Sequence, residues 1–206
     1  MSGLPFILKG LIIGVIVSIP IGPIMILTVQ KSVNDGRKAG FSCGLGATAV
    51  DTTRAVVSAF ALSAIGDMIA RYTAAIETAG GVFIALVGLG MLLTRIEIKR
   101  TKASYSTRNF VKATTMGFSN PAALAVMLAM FAFFKMNMSG QPAAIPVLAI
   151  MAVCAGSAGF WYLFSRVVAH FGDKFNFKVL VIINRMAGTG VILFGLYLFL
   201  EGIGVL

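Results

Sequence analysis

Charge is scarce in this chain. Asp, Glu, Lys and Arg together make up 12% of its 206 residues, against about a quarter in ordinary soluble domains. There is one histidine, one tryptophan and two cysteines, with no CxxC pair and no His-rich cluster. So few metal-ligating side chains exclude a zinc-stabilised fold, and two cysteines do not make a disulfide framework. No Gly-rich phosphate loop follows a strand-like run, and no nucleophile sits beside a base, so nothing points to an enzyme. Neither a cofactor nor a metal is expected.

What fills the space is apolar. Hydrophobic residues account for 58% of the chain, and the mean hydropathy is +0.95. A bilayer-crossing helix needs about 20 consecutive apolar residues. Six stretches meet that need: 4–28, 41–65, 79–95, 111–134, 143–165 and 187–205. The expected fold is therefore all-α and integral to a membrane, one transmembrane domain over 1–206. The first stretch exceeds a signal peptide's apolar core and has no Ala-x-Ala-like site after it, so it reads as a retained span.

The net charge of +10 suggests nucleic acid until the positions are read. Lys31, Arg37 and Lys38 follow the first span, and Arg95, Lys99, Arg100, Lys102, Arg108 and Lys112 follow the third. Arg166, Lys174, Lys178 and Arg185 follow the fifth, whereas the opposite ends hold only Lys9, Arg71 and Lys135. The positive-inside rule then predicts both termini outside and the 1–2, 3–4 and 5–6 loops in the cytoplasm. The expected partners are a small-molecule substrate and membrane lipids, with no nucleic acid. Oligomeric state is left open, a homo-oligomer included.

A division near residue 108 gives three spans per half, 1–108 and 109–206. An odd number of spans forces the second half to insert upside down. Echoes support two inverted three-helix repeats: Gly81 and Gly88 in the third span answer Gly188 and Gly195 in the sixth. These glycines read as packing residues, allowing close helix approach.

The first and fourth spans are both broken by proline, at Ser18-Ile19-Pro20-Ile21-Gly22-Pro23 and at Gly117-Phe118-Ser119-Asn120-Pro121. Proline has no N–H to donate to the carbonyl four residues back. Pro20 therefore frees the Ile16 carbonyl, Pro23 that of Ile19 and Pro121 that of Gly117. In hydrocarbon such groups persist where they line a cavity or are buried in protein, and matched breaks in two halves point to a solute site. Thr28, Gln30, Ser119 and Asn120 are polar groups near the breaks.

One acidic residue, Asp51, falls well inside a span, roughly 15 Å deep by helix rise. Arg54 follows one turn later on the same face. Charges at that depth cost about 2.5–3.5 kcal/mol each and should face the bundle interior. Either the two neutralise each other as architecture, or they line a solute path. In the second case Asp51 takes an ammonium or a coupled proton and Arg54 a carboxylate. The substrate pathway expected here is Pro20, Gly22, Pro23, Asp51, Arg54, Ser119, Asn120 and Pro121. Trp161 and Tyr162, close to Arg166, read as an interfacial anchor.

The run Ile19-Pro20-Ile21-Gly22-Pro23, then Gly36-Arg37-Lys38-Ala39-Gly40, then Gly44, Gly46 and Asp51 resembles the LysE/RhtB amino-acid exporters. Gly117 through Pro121, Gly156-Ser157 through Trp161, and Asn184-Arg185 with Gly188 continue the resemblance over about residues 4–200. It implies a secondary transporter in the bacterial cytoplasmic membrane that exports amino acids or related metabolites, driven by the proton gradient. Pro20, Gly22, Pro23, Asp51, Asn120 and Pro121 fall on the family's motif positions. The chain departs from that pattern at Ala122, where lysine is common, and at Arg54, where an apolar or aromatic residue is expected. Two competing readings are an exporter of metal or other inorganic ions, and a thiol electron conduit through Cys43 and Cys154.

Overall fold

The computed structural model describes residues 3–19, 22–64, 72–93, 107–120, 122–136, 138, 140–172 and 177–205. These form eight α-helices and no strand: α1 Leu4–Ser18, α2 Pro23–Asn34, α3 Arg37–Ala64, α4 Thr73–Leu93, α5 Thr107–Phe118, α6 Ala122–Phe133, α7 Ala144–Phe171 and α8 Phe177–Gly202.

Three helices contain stretches long and apolar enough to cross a membrane: Ala74–Leu93, Ala144–Phe171 and Asn184–Gly202. The two broken stretches would raise that number to five. Both bend sharply at their proline breaks. Leu4–Ser18 and Pro23–Asn34 meet at 80°, and Asn109–Phe118 and Ala122–Phe133 at 75°. Each half is only 12 to 15 residues, about 18–22 Å by helix rise. The 28-residue α3 is long enough to cross but is not among these apolar spans, and it carries Arg37, Lys38, Asp51 and Arg54. Among the described residues the six expected stretches thus become three apolar helices, one more polar one and two sharply bent pairs.

Proline sets where the halves restart. Pro23 is the first residue of α2, where its missing N–H would have had no helical partner anyway. Gly22 before it is extended, at φ −117° and ψ −175°, and its carbonyl accepts from the Met25 and Ile26 N–H groups. Only Asp35 and Gly36 join α2 to α3, and Gly36 makes that turn at φ +83°, a conformation that costs other residues energy.

α3 is central, packing on α2, α5, α6 and α7. α1 lies along α7 with the backbones nearly touching: a methyl group on Gly10 would meet the Ala149 carbonyl oxygen, and one on Gly14 that of Val153. α5 lies along α3 in the same manner, with Gly46 against Phe110 and Ala113 and Gly117 against Val50. The largest apolar core joins Ile13, Ala55, Met127, Met130, Phe131, Ala149 and Val153. The Met127–Phe134 run is thus mostly core, with Phe133 half exposed.

α4 and α8 form a separate pair. Gly81 meets Gly195 and Phe199, and Gly88 meets Gly188 and Ile192. The glycines expected to serve packing do so, against each other. The pair is attached to the rest through α6, where Phe133 stacks edge-on to Phe194 and Tyr197.

Candidate functional site

The site grows from Asp51, buried in the middle of α3. Its Oδ2 lies 3.0 Å from Ser157 Oγ on α7 and 3.3 Å from Ser18 Oγ at the end of α1. Each hydroxyl has one proton to donate. Ser18 Oγ is also 2.9 Å from the Gly14 carbonyl oxygen and 3.0 Å from Ser157 Oγ, and Ser157 Oγ is 3.3 Å from Thr48 Oγ1. Two serines thus meet at one carboxylate oxygen, with Thr48 behind Ser157. The close approach of α1 to α7 at Gly14 lets Ser18 and Ser157 reach the same oxygen.

The other carboxylate oxygen, Oδ1, accepts from Arg54 Nη1 at 3.3 Å. Arg54 then reaches away from α3: Nη2 donates to the Gly117 carbonyl at 2.6 Å and to the Asn120 carbonyl at 3.3 Å. The Gly117 carbonyl also accepts the Asn120 N–H at 3.2 Å. It is the carbonyl that Pro121, having no N–H, leaves without its helical donor. A planar, delocalised cation with five N–H groups suits this task.

Asp51 and Arg54 therefore connect the two breaks, Asp51 holding Ser18 at the first and Arg54 holding Gly117 and Asn120 at the second. Chemically the cluster offers a carboxylate for a cation or proton, a guanidinium for an oxyanion, and backbone carbonyls for an ammonium.

Not every expected pathway residue joins this cluster. Pro20 and Pro121 lie outside the described residues. Gly22 and Pro23 open α2, and Pro23 is exposed. Ser119 is exposed, and its hydroxyl bonds back to the Thr115 carbonyl at 3.0 Å. Asn120 contributes its backbone carbonyl to Arg54. Ser18, Thr48, Ser157 and the Gly117 carbonyl were not on the expected pathway. Ser18 directly precedes the first break and Ser157 follows Gly156, which gives each a weak sequence signal.

Trp161 departs from its expected role. It is 4% exposed, packed on Met25, Val29 and Ala47, with its Cβ against Gly44. The cation contact belongs to Tyr162, whose ring carries the Arg37 guanidinium 5.7 Å from its centroid and meets Phe41 edge-on. Cys43 and Cys154 are free thiols, Cys43 buried beside Leu27 and Ala113. Among the described residues, no three His, Cys, Asp or Glu side chains come together to hold a metal.

No curated protein and no solved structure matches the chain. Residues 15–202 match the family model of the LysE type translocator, a span that includes both breaks, Asp51, Arg54 and Ser157, and the chain belongs to that family of membrane transporters.

Proposed function

We propose that this chain is a secondary transporter that exports amino acids or related small metabolites from the bacterial cytoplasm, driven by the proton gradient. The observation that carries the reading is the Asp51–Arg54 pair holding both broken helices, Ser18 on one side and Gly117 with Asn120 on the other. A zwitterion carries the two charges this pair presents. Asp51 takes the solute ammonium or the coupled proton, Arg54 takes the carboxylate, and the carbonyls at the second break complete the ammonium's shell.

Two inverted three-helix repeats, 1–108 and 109–206, suit an alternating site of this kind. The α4–α8 contact supports them, because exchanging the two helices carries the Gly81–Gly195 contact onto Gly88–Gly188. So does the likeness between α1 along α7 and α5 along α3, each packed backbone to backbone at glycine. The basic ends near Lys31, Arg37 and Arg166 belong in this reading to the cytoplasmic side, with both termini outside.

The test is efflux from cells loaded with each amino acid in turn, with divalent metals as a parallel panel. Asp51→Asn keeps the shape and two polar atoms but removes the charge. It is expected to abolish amino-acid efflux while the protein still inserts. Undiminished efflux from that variant removes Asp51 from the mechanism, and protection against metals alone replaces the substrate class.

A further inference from the structure

Four buried polar atoms gather along one seam with no hydrogen-bond partner: Thr28 Oγ1 and Ser32 Oγ on α2, and Trp161 Nε1 and Ser165 Oγ on α7. Each of these residues is at most 4% exposed. The three other such atoms among the described residues, on Ser58, Asn109 and Asn184, belong to three different helices. An unpaired buried donor or acceptor costs about 1–3 kcal/mol, so four in one place need a common partner.

Helix periodicity brings them together. Thr28 and Ser32 are one turn apart on α2, and Trp161 and Ser165 one turn apart on α7. Met25 and Val29 of α2 pack against Trp161 and Val168 of α7 in one apolar cluster, so these two stripes face each other. From α3, Gly40 lies against Ser32 and Gly44 against Trp161, so the α3 backbone closes the third side of the seam.

Both ends lead somewhere. Beside Trp161, the Gly44 carbonyl accepts from Thr48 Oγ1 at 3.0 Å. Thr48 is 3.3 Å from Ser157 Oγ, which is 3.0 Å from Asp51. Beyond Ser32, the seam reaches the end of the bundle where Lys31 pairs with Asp35 at 2.8 Å and Arg37 covers Tyr162.

We infer that this α2–α3–α7 seam is a water-bearing path from the basic end of the bundle to Asp51. Water fits the donor set: it accepts from the indole N–H, both donates to and accepts from the hydroxyls, and makes two to four bonds when buried. Along such a file each water takes up one proton and passes on another, so a proton arrives at or leaves the Asp51 carboxylate with no net change in the waters. The path rests on the transport reading only for its purpose, which is to connect the coupled proton to its carboxylate. Its existence can be tested without a substrate.

The experiment uses the full chain in lipid vesicles with Cys43→Ala and Cys154→Ala as background. Ser32→Cys and Ser165→Cys are compared with Val168→Cys, buried and apolar on the same stripe, and Val167→Cys on the exposed outer face. A water-soluble ethylammonium thiosulfonate should label the first two at least about tenfold faster than Val168→Cys, since only a hydrated thiol ionises and reacts, with Val167→Cys beside Arg166 giving the rate of an exposed thiol. Rates no faster than at Val168→Cys overturn the path. Trp161, the chain's single tryptophan, gives a reading without substitution. Its emission should lie at the long wavelengths of a water-bonded indole, and the short-wavelength emission of a dry one overturns the proposal. Fast labelling with no solute movement in vesicles leaves the path standing and removes the transport reading. Solute movement with slow labelling does the reverse.

Discussion

Arg54 Nη2 stands 2.6 Å from the Gly117 carbonyl oxygen, the acceptor that Pro121 deprives of its helical donor. A cation from one helix thereby completes the broken end of another, 63 residues away in sequence. The same guanidinium holds Asp51, so one side chain ties the buried carboxylate to the second break.

Truncating Arg54 to alanine leaves a buried carboxylate without its cation, and the Gly117 carbonyl with the Asn120 N–H alone. The expected loss is about 3–5 kcal/mol, as for other broken buried pairs. Arg54→Lys keeps the charge but cannot fork to Asp51 and Gly117 together, so it should melt between wild type and Arg54→Ala. Thermal unfolding in lipid nanodiscs measures both, and an unchanged midpoint for Arg54→Ala would mean that the bridge contributes nothing.

Ser18 and Ser157 act on the same carboxylate oxygen, so their contributions should not add. Each single alanine substitution is expected to cost about 1–2 kcal/mol. In the double variant the shared oxygen and the 3.0 Å contact between the hydroxyls should give a coupling of about 0.5 kcal/mol or more. Additive losses would place the two serines in separate roles.

A side chain at Gly88 has no room, since its first carbon would lie 2.8 Å from the Gly188 carbonyl oxygen. Gly88→Leu should force α4 and α8 apart at about 1–3 kcal/mol. Gly80→Leu is the control, because nothing lies within 4 Å of that position. Equal melting of the two variants would contradict the packing described for this pair.

Replacing both Cys43 and Cys154 with alanine should leave efflux intact. The buried Cys43 thiol fills space in an apolar cluster beside Leu27 and Ala113, and neither cysteine is in a disulfide. Loss of transport with the protein still folded would restore the thiol conduit as a competing function.

Proline chemistry made the Gly117 carbonyl legible as an unfilled acceptor before any coordinates, and helix spacing made Asp51 and Arg54 legible as neighbours. Neither could say that Arg54 turns outward to that carbonyl, because the meeting depends on α5 lying against α3 at Gly46. Ser157 lies 106 residues from Asp51, and no local pattern encodes their contact. The Gly81, Gly88, Gly188 and Gly195 echo was readable because small residues have one main use between membrane helices. Trp161 misleads because an aromatic near an arginine resembles a headgroup anchor. Its burial depends on the notch that Gly44 leaves on another helix. The bend angles were hidden for a similar reason: apolar runs continue across both breaks, and hydropathy carries no direction.

The contact of α1 with α7 has a mechanical consequence. With Gly10, Gly14 and Gly156 each lying against a backbone oxygen of the opposing helix, these two helices cannot slide or part without opening a void along several turns. They behave as one stiff post. In the export reading proposed above, movement is left to the other side of Asp51, where α5 and α6 pack on α3 and Arg54 bridges them.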